Sequence, residues 1–205
     1  MSTVRILFDL RSGFGIGDAV QSGVMWRHLK KYRPHWVIDV RAPGAFSAAI
    51  RPFINAFWPD DVPVAGEYES VQALGWTDCF ETFSDRPSTK VAYALKNVFG
   101  IEEYDPALGR YEVEKDAETL DRLKEHGAVG INFKGNSHPE MKNLCMADRE
   151  AIRKEIHRLD SIPQGLEFFR GVGELAAAIS KCRAFIGIDS GPGKIASCTD
   201  TPTLI

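Results

Sequence analysis

The sequence predicts an α/β protein built from two α/β units, the second of them incomplete. Short apolar strands alternate with helical segments on both sides of a polar connector near the middle of the 205-residue chain. A glycine-containing turn lies between a strand and a helix in each half. We predict an N-terminal domain over residues 1–112, a connecting helical segment over 113–127 and a partial C-terminal domain over 128–205.

The elements of the first unit differ in how clearly their patterns define them. The apolar, β-branched run Val4–Leu10 predicts a strand, and apolar residues at helical spacing predict a helix from Asp18 to about Tyr32. Proline disfavours helical geometry in the residue before it, so the helix ends at Arg33. The other predicted elements are a second strand over Trp36–Val40, a helix with a proline interruption over Ala42–Phe57, a short strand over Val62–Ala65 and a helix over Lys90–Phe99 that Gly100 stops. The stretch Glu67–Arg86 has no clear period.

The strand–helix pattern restarts after a charged helix that we predict over Lys115–His126. The predicted elements of the second unit are a strand over Ala128–Phe133, a polar loop over Lys134–Leu144, helices over Ala147–Leu159 and Gly173–Lys181, a strand over Ala184–Ile188 and a short helix over Lys194–Cys198. Thr201–Ile205 is typical of the start of another strand. We therefore expect Ile205 to lie at an incomplete sheet edge.

Composition excludes several classes of protein. The net charge is −3, which gives no electrostatic case for nucleic acid binding. No window has about 18 consecutive apolar residues, so we expect no integral membrane segment, and the N-terminus does not resemble a secretory signal, so we expect a cytoplasmic protein. The four cysteines are far apart without paired spacing, which predicts neither a disulfide frame nor a zinc site.

The first glycine cluster, Gly13-Phe-Gly-Ile-Gly-Asp18, lies between the first strand and the first helix. Open α/β sheets bind ligands at such a turn, because backbone N–H groups and the helix dipole converge there. Asp18 stands where a dinucleotide fingerprint requires its third glycine, so the pattern argues against a nicotinamide site, although Asp39 has the spacing of a ribose-binding acid. Two interpretations of Asp18 remain open: an N-cap of the helix, or a general base in a cleft with Gly15 and Gly17.

The second cluster, Asp189-Ser-Gly-Pro-Gly193, follows a buried strand and opens a short helix. Its glycines allow close approach of a ligand to the backbone, Ser190 adds a hydroxyl donor and Lys194 adds a cation. Together these features favour a diphosphate-binding turn. Asp189 would contact a ribose or base hydroxyl, or cap the helix. The alternative is an ordinary turn in which Asp189 only caps the helix.

Several segments in this order resemble glycosyltransferase family 9, which contains the bacterial lipopolysaccharide heptosyltransferases. The segments are Gly-Asp-Ala-Val near the start, Lys-Asn-Leu after a strand and polar loop, Glu-Leu-Ala-Ala-Ala-Ile, and Asp-Ser-Gly-Pro. The resemblance covers most of the chain and is weakest between about Glu67 and Arg110. It implies two Rossmann-like domains in the GT-B arrangement, with the active site between an acceptor-side N-terminal domain and a nucleotide-sugar-binding C-terminal domain.

The resemblance also implies roles for individual residues. Asp18 is the candidate base on the acceptor hydroxyl, and the expected acceptor is a glycan, a lipid or a protein. A nucleotide-sugar donor would serve as co-substrate, with no metal ion and no other cofactor. The residues that would bind the donor are Lys142, Asp189, Ser190, Gly191, Pro192, Gly193 and Lys194. Arg11 and His138 are further cleft candidates, Arg11 for an anionic acceptor.

The chain departs from the family pattern in three places. Gly193-Lys194 replaces a common Met-His pair, and the stretch between Leu159 and Gly173 scarcely accommodates the expected strand. The family also continues beyond the final Pro-Thr, which predicts a truncated or reduced homologue. The alternative to an active glycosyltransferase is therefore a catalytically inactive remnant that binds a nucleotide or a protein partner.

Overall fold

A computed structural model describes residues 2–10, 15–74, 87–110, 128–135, 140, 143–161, 163–166 and 171–205. The chain divides into two compact units, one over Met1–Arg110 and one over Tyr111–Ile205. Each unit contains a four-stranded sheet in which every paired strand is parallel. This confirms the predicted α/β class.

The first sheet has the strand order β3-β2-β1-β4. Its strands are β1 (Val4–Leu10), β2 (Trp36–Ala42), β3 (Ala56–Pro59) and β4 (Ser70–Leu74). Its helices are α1 (Ile16–Tyr32), α2 (Ser47–Ile50) and α3 (Pro87–Phe99), with 3-10 turns over Gly44–Phe46, Arg51–Phe53 and Pro106–Gly109. From β1 the chain adds β2 and then β3 on one side of the sheet, and it later adds β4 on the other side of β1. The direction of the connections therefore reverses between β1 and β4.

The core of the first unit lies between one face of this sheet and the helices α1 and α3. Phe8 is fully buried in β1, and its ring lies 5.9 Å from that of Trp26 in α1 and 6.0 Å from that of Phe99 in α3. Burying an aromatic side chain of this size stabilises the fold by roughly 1.5–3 kcal/mol relative to leaving it exposed. Because α1 is the next element after β1 in the chain, its start lies at the carboxyl edge of the sheet.

Two predicted elements of the first unit are wrong. The region Ala42–Phe57 holds one four-residue helix between 3-10 turns, and its last residues belong to β3. Pro52 lacks the N–H that a continuing helix needs. Phe57 pairs with Val40 of β2 in the sheet and is buried there. Val62–Ala65 is a loop rather than a strand, and the fourth strand lies later, in the stretch without a clear period.

The second sheet has the strand order β6-β5-β7-β8. Its strands are β5 (Val129–Asn132), β6 (Pro163–Gly165), β7 (Ala184–Gly187) and β8 (Thr203–Leu204), and its helices are α4 (Met146–Arg158), α5 (Val172–Lys181) and α6 (Gly191–Ala196). The connections reverse between β5 and β7, so the loops after these two strands meet at one edge.

The strand predicted at Thr201–Ile205 is confirmed, and it pairs with β7 at the edge of the sheet. Leu204 and Ile205 are 65% and 52% exposed there. The three-residue strand β6 fits between α4 and α5, which corrects the expectation that this connection was too short. The predicted helix over Lys115–His126 lies outside the described residues. None of the helices that the structure describes is long and apolar enough to span a membrane.

Candidate functional site

The start of α1 places three of the predicted cleft residues together. Gly15 is the N-cap residue with extended backbone, Gly17 is buried, and Asp18 is the third residue of the helix. The Gly15 N–H donates to Asp18 Oδ2 at 2.9 Å. Asp18 is therefore not the N-cap: it reaches back to the N-cap residue and satisfies one backbone N–H at the helix start.

This contact orients the Asp18 carboxylate at the carboxyl edge of the first sheet. A carboxylate near the first turn also interacts favourably with the helix dipole. The hydroxyl of Ser22 donates to the Asp18 carbonyl oxygen at 2.9 Å, within the helix. Asp18 therefore has a structural role, which is compatible with a chemical role but does not require one.

Asp39 has a different environment from the one that a ribose-binding acid needs. Its side chain is 1% exposed, and Oδ2 accepts from Arg5 Nη2 at 2.8 Å and from the Tyr68 hydroxyl at 2.9 Å. The hydrogen bond to Asp39 raises the pKa of Arg5 above its ordinary value. Asp39 is thus a buried partner of two neighbouring side chains, which argues further against a dinucleotide site.

The second predicted cluster lies at the carboxyl edge of the second sheet, immediately after β7. Ser190 is the N-cap residue of α6, with extended backbone, and it is buried. Its hydroxyl donates to the Ile188 carbonyl oxygen at 3.2 Å and makes no capping hydrogen bond to the helix. Of the two roles left open for Asp189, that of N-cap residue belongs to Ser190, and Asp189 lies one position before it.

The glycines of this turn have separate explanations. A Cβ on Gly193 would lie 2.8 Å from the Ile188 carbonyl oxygen and 3.1 Å from Ile205 Cδ1, so the missing side chain lets α6 pack against the end of β7. Gly191 and Pro192 form the first turn of α6, where proline is well tolerated because its missing N–H has no helical partner. Lys194 follows in the same helix and is partly buried.

The loop after β5 joins this cluster. The Ile188 N–H donates to the Asn132 carbonyl oxygen at 3.2 Å, which ties the turn after β7 to the end of β5. A Cβ on Gly135 would lie 3.5 Å from Ser190 Cβ, and the Gly135 N–H donates to Asn143 Oδ1 at 2.7 Å. Gly135, Asn143 and Ser190 therefore lie along one edge of the sheet.

Three predicted site residues, Arg11, His138 and Lys142, lie outside the described residues. Asn143 follows Lys142 in the sequence, and sequence reasoning missed it and Gly135. An amide directly after the predicted phosphate-binding lysine was the available signal for Asn143.

The described residues include no group of three or more His, Cys, Asp and Glu side chains that could hold a metal ion. The described cysteines are free thiols: Cys145 is exposed, and Cys182 and Cys198 are buried. Burial raises the pKa of Cys182 to about 11, so its thiol stays protonated and is a poor nucleophile near neutral pH.

No model of a protein family and no curated protein matches this chain in sequence. Its fold does match solved structures. A family 9 glycosyl transferase from Veillonella parvula DSM 2008 is 16% identical, with a TM-score of 0.63 over 99% of this chain and 81% of that one. The iron-containing dodecameric glycosyltransferase TibC from enterotoxigenic E. coli H10407 is 12% identical, with a TM-score of 0.66 over 99% of this chain and 58% of TibC.

E. coli heptosyltransferase WaaC, solved with ADP-2-deoxy-2-fluoro heptose, is 8% identical to this chain. Its TM-score is 0.54, and the match covers 98% of this chain and 87% of WaaC. Likeness at such low identity concerns the fold. At that level the resemblance to glycosyltransferase family 9 is confirmed: this chain has the fold of the family 9 glycosyltransferases and heptosyltransferases.

Proposed function

We propose that this protein transfers a sugar from a nucleotide-sugar donor to a hydroxyl group of a glycan, lipid or protein acceptor. The observation that carries the proposal is the fold likeness to glycosyltransferases over 98–99% of the chain. The positions of the two predicted clusters support it, because each lies at the carboxyl edge of a parallel sheet beside the point where the connections reverse.

In this proposal the second unit binds the donor. Ser190, Lys194 and the backbone of residues 191–193 would contact the diphosphate, and Lys142 would add a second cation. Asp189 would accept from a hydroxyl group of the nucleotide. Negative charge develops on the leaving nucleoside diphosphate, and hydrogen-bond donors and cations that are already in position stabilise it. The reaction would then need no metal ion.

The first unit would bind the acceptor, with Asp18 as the general base beside Gly15 and Gly17 and with Arg11 near the acceptor. His138, from the second half of the chain, would be a further cleft residue. The acceptor oxygen forms a bond to the anomeric carbon, the bond from that carbon to the diphosphate oxygen breaks, and the hydroxyl proton goes to Asp18. The hydrogen bond from Gly15 holds one carboxylate oxygen at the helix start. The GT-B arrangement, with these two edges facing a shared gap, is part of the proposal.

Isothermal titration with ADP, UDP and GDP tests the donor site. We expect one of these nucleotides to bind the wild-type chain and to bind Lys142→Ala at least about tenfold more weakly, because a charged hydrogen bond contributes about 1.5–3 kcal/mol. A matched control is Lys154→Ala, an exposed lysine in α4, which should leave the affinity unchanged. Absence of binding by all three nucleotides would overturn the donor assignment.

Incubation of the chain with nucleotide sugars that contain the preferred base, together with a panel of glycan acceptors, tests transfer. Release of nucleoside diphosphate that depends on the acceptor supports the enzyme. Nucleotide binding without such release under any acceptor condition supports the inactive remnant instead. Addition of EDTA should leave the rate unchanged if the reaction is metal-independent.

A further inference from the structure

Asn132 is a buried amide at the end of β5, and its side-chain oxygen has no hydrogen-bond partner among the residues that the structure describes. The residue is 5% exposed, and Oδ1 is fully buried. Leaving a buried polar atom without a partner costs about 1–3 kcal/mol. An unpaired buried polar atom calls for an explanation, and the position of this one at the carboxyl edge of the sheet, where α/β proteins bind ligands, favours a ligand.

The alternation of β5 defines the face on which Asn132 lies. Val129, Ile131 and Phe133 form one apolar cluster with Ile156 of α4. Asn132 has the opposite orientation, on the face where a Cβ on Gly130 would meet Cys182 and Leu166. This second face is also apolar around Gly130, and within the described part of the chain no group pairs with the Asn132 oxygen.

The neighbours of Asn132 connect it to the proposed donor site. Its partner across the ladder is Gly187, which has no side chain that could pair with the amide. The carbonyl oxygen of Asn132 accepts from the Ile188 N–H, two residues before Ser190. The amide therefore lies at the same edge as the Ser190 turn, beside the point where the connections reverse.

We propose that the Asn132 side-chain oxygen binds the nucleoside part of the nucleotide, by accepting a hydrogen bond from an O–H of the ribose or an N–H of the base. A carbonyl oxygen is an acceptor only. It cannot bind the oxygens of an ionised diphosphate, which are also acceptors, so within a nucleoside diphosphate its complement is a hydroxyl or amino donor of the nucleoside. This inference rests on the proposed donor site and adds a specificity-determining residue to it.

The test compares ADP with inorganic pyrophosphate on the wild type and on Asn132→Leu. Leucine has a similar size but no hydrogen-bonding atom. We expect the affinity for ADP to fall about fivefold to twentyfold and the affinity for pyrophosphate to change less than twofold. The thermal midpoint should stay equal or rise, because the unpaired buried atom is gone. Asn132→Ala provides a second variant if the leucine variant does not fold.

The matched control is Gln21→Leu in α1 of the first unit. Gln21 is also a fully buried amide, and neither its nitrogen nor its oxygen has a partner. Removing this amide should leave ADP affinity unchanged. A 2′-deoxy-ADP arm identifies the partner: if Asn132→Leu weakens ADP but not 2′-deoxy-ADP, the hydrogen bond comes from the 2′-hydroxyl, and equal weakening assigns it to another donor of the nucleoside.

The outcomes separate this inference from the proposed function. If the wild type binds ADP and Asn132→Leu binds it equally well, the inference is overturned and the donor site stands. An equal loss of affinity for ADP and for pyrophosphate also overturns it, because Asn132 would then maintain the structure of the sheet edge without recognising the nucleoside. If the wild type binds no nucleotide, both proposals are overturned together.

Discussion

The two glycine-containing turns have similar composition and opposite internal structure. In the first, the acid lies inside the helix and binds the backbone of its own turn, from Asp18 Oδ2 to the Gly15 N–H. In the second, the acid precedes the helix, and the hydroxyl of Ser190 binds the Ile188 carbonyl oxygen of the incoming strand. The first turn therefore satisfies its own N–H group, whereas in the second the Ser190 side chain makes no capping hydrogen bond to its helix.

The difference teaches that a short motif does not define a role by its composition. In the first turn the glycine and the aspartate form a hydrogen bond with each other at the start of the helix. In the second turn Gly193 allows close packing against the Ile188 carbonyl oxygen. The helices that follow the two turns also differ in length: α1 has 17 residues and α6 has six. The following substitutions separate the structural part of each turn from its chemical part.

The largest expected effect belongs to Asp18→Asn. Asparagine retains an oxygen that can accept from the Gly15 N–H, but it cannot take a proton from the acceptor. We expect the rate of sugar transfer to fall about 10²–10⁴-fold with little change in unfolding temperature. Asp18→Ala, which also loses the hydrogen bond, should lower both. A transfer rate in Asp18→Asn within threefold of wild type would limit Asp18 to its structural role.

The next effect concerns the packing of Gly193. Its alanine variant places a Cβ against a backbone oxygen that cannot move cheaply, so we expect a loss of about 1–3 kcal/mol in the free energy of unfolding by urea. Gly15→Ala should cost less, because its Cβ would lie 3.3 Å from Asp18 Oδ2 at the end of a side chain. Gly173→Ala, with no atom within 4 Å of the new Cβ, is the control. Equal effects at positions 193 and 15 would contradict the proposed difference.

A smaller effect is expected from removing the hydroxyl of each turn. Ser190→Ala loses the hydrogen bond to Ile188, and Ser22→Ala loses the one to the Asp18 carbonyl oxygen. Each should cost about 0.5–1.5 kcal/mol of stability. Nucleotide affinity, measured by titration, should fall only in Ser190→Ala. Similar affinity in both variants would remove Ser190 from the donor site.

The smallest effect is a pH dependence of the first unit. His28 is fully buried, its Nδ1–H donates to the Val24 carbonyl oxygen and its Nε2 accepts from the Asp105 N–H. Burial lowers the pKa of His28 below its ordinary value of 6.5, so the unfolded chain binds the proton more tightly than the folded one. The contribution of His28 to stability is therefore complete above pH 6.5 and decreases as the pH falls below it.

Thermal unfolding between pH 7.5 and 5 measures this dependence. The Lys31–Asp105 ion pair lies beside His28, and its hydrogen bond lowers the pKa of Asp105 below the ordinary 3.8, so Asp105 stays ionised in this range. His28→Gln should weaken the decrease, and His157→Gln, at an exposed position of α4, should not. An unchanged profile in His28→Gln would assign the pH dependence to other groups.

Patterns of apolar residues predicted the long elements because a long element contains several repeats of its period. The strands β1 and β2 and the helices α1, α4 and α5 agree with their predictions within a few residues. The short strands β3, β4 and β6 have between three and five residues, too few for a period to emerge. The strands β5 and β7 have four residues each and were predicted from the continuous apolar runs in which they lie. Val71 of β4 is 60% exposed, so burial gives this strand no apolar signature either.

The same limit applies to the candidate site. Sequence reasoning found the two turns, because glycine, aspartate and serine after a strand have a local meaning. It could not find Asn132, since an unpaired buried amide is defined only after the sheet has formed. For Asn143 the sequence offered only its position after Lys142, and the hydrogen bond across the loop is visible only in the structure. It left two roles open for Asp189, a contact with the nucleotide and a cap of α6, because sequence alone does not define that Ser190 is the N-cap residue with extended backbone.

The central position of β1 has a consequence for biosynthesis. Ile6 pairs on one side with Ile38 and on the other with Ser70, so β1 receives its second neighbour only after the chain as far as β4 has been translated. Contacts between residues so distant along the chain form slowly, since a long loop must close first. A nascent chain interrupted before Ser70 would expose one whole side of β1, where a chaperone could recognise it.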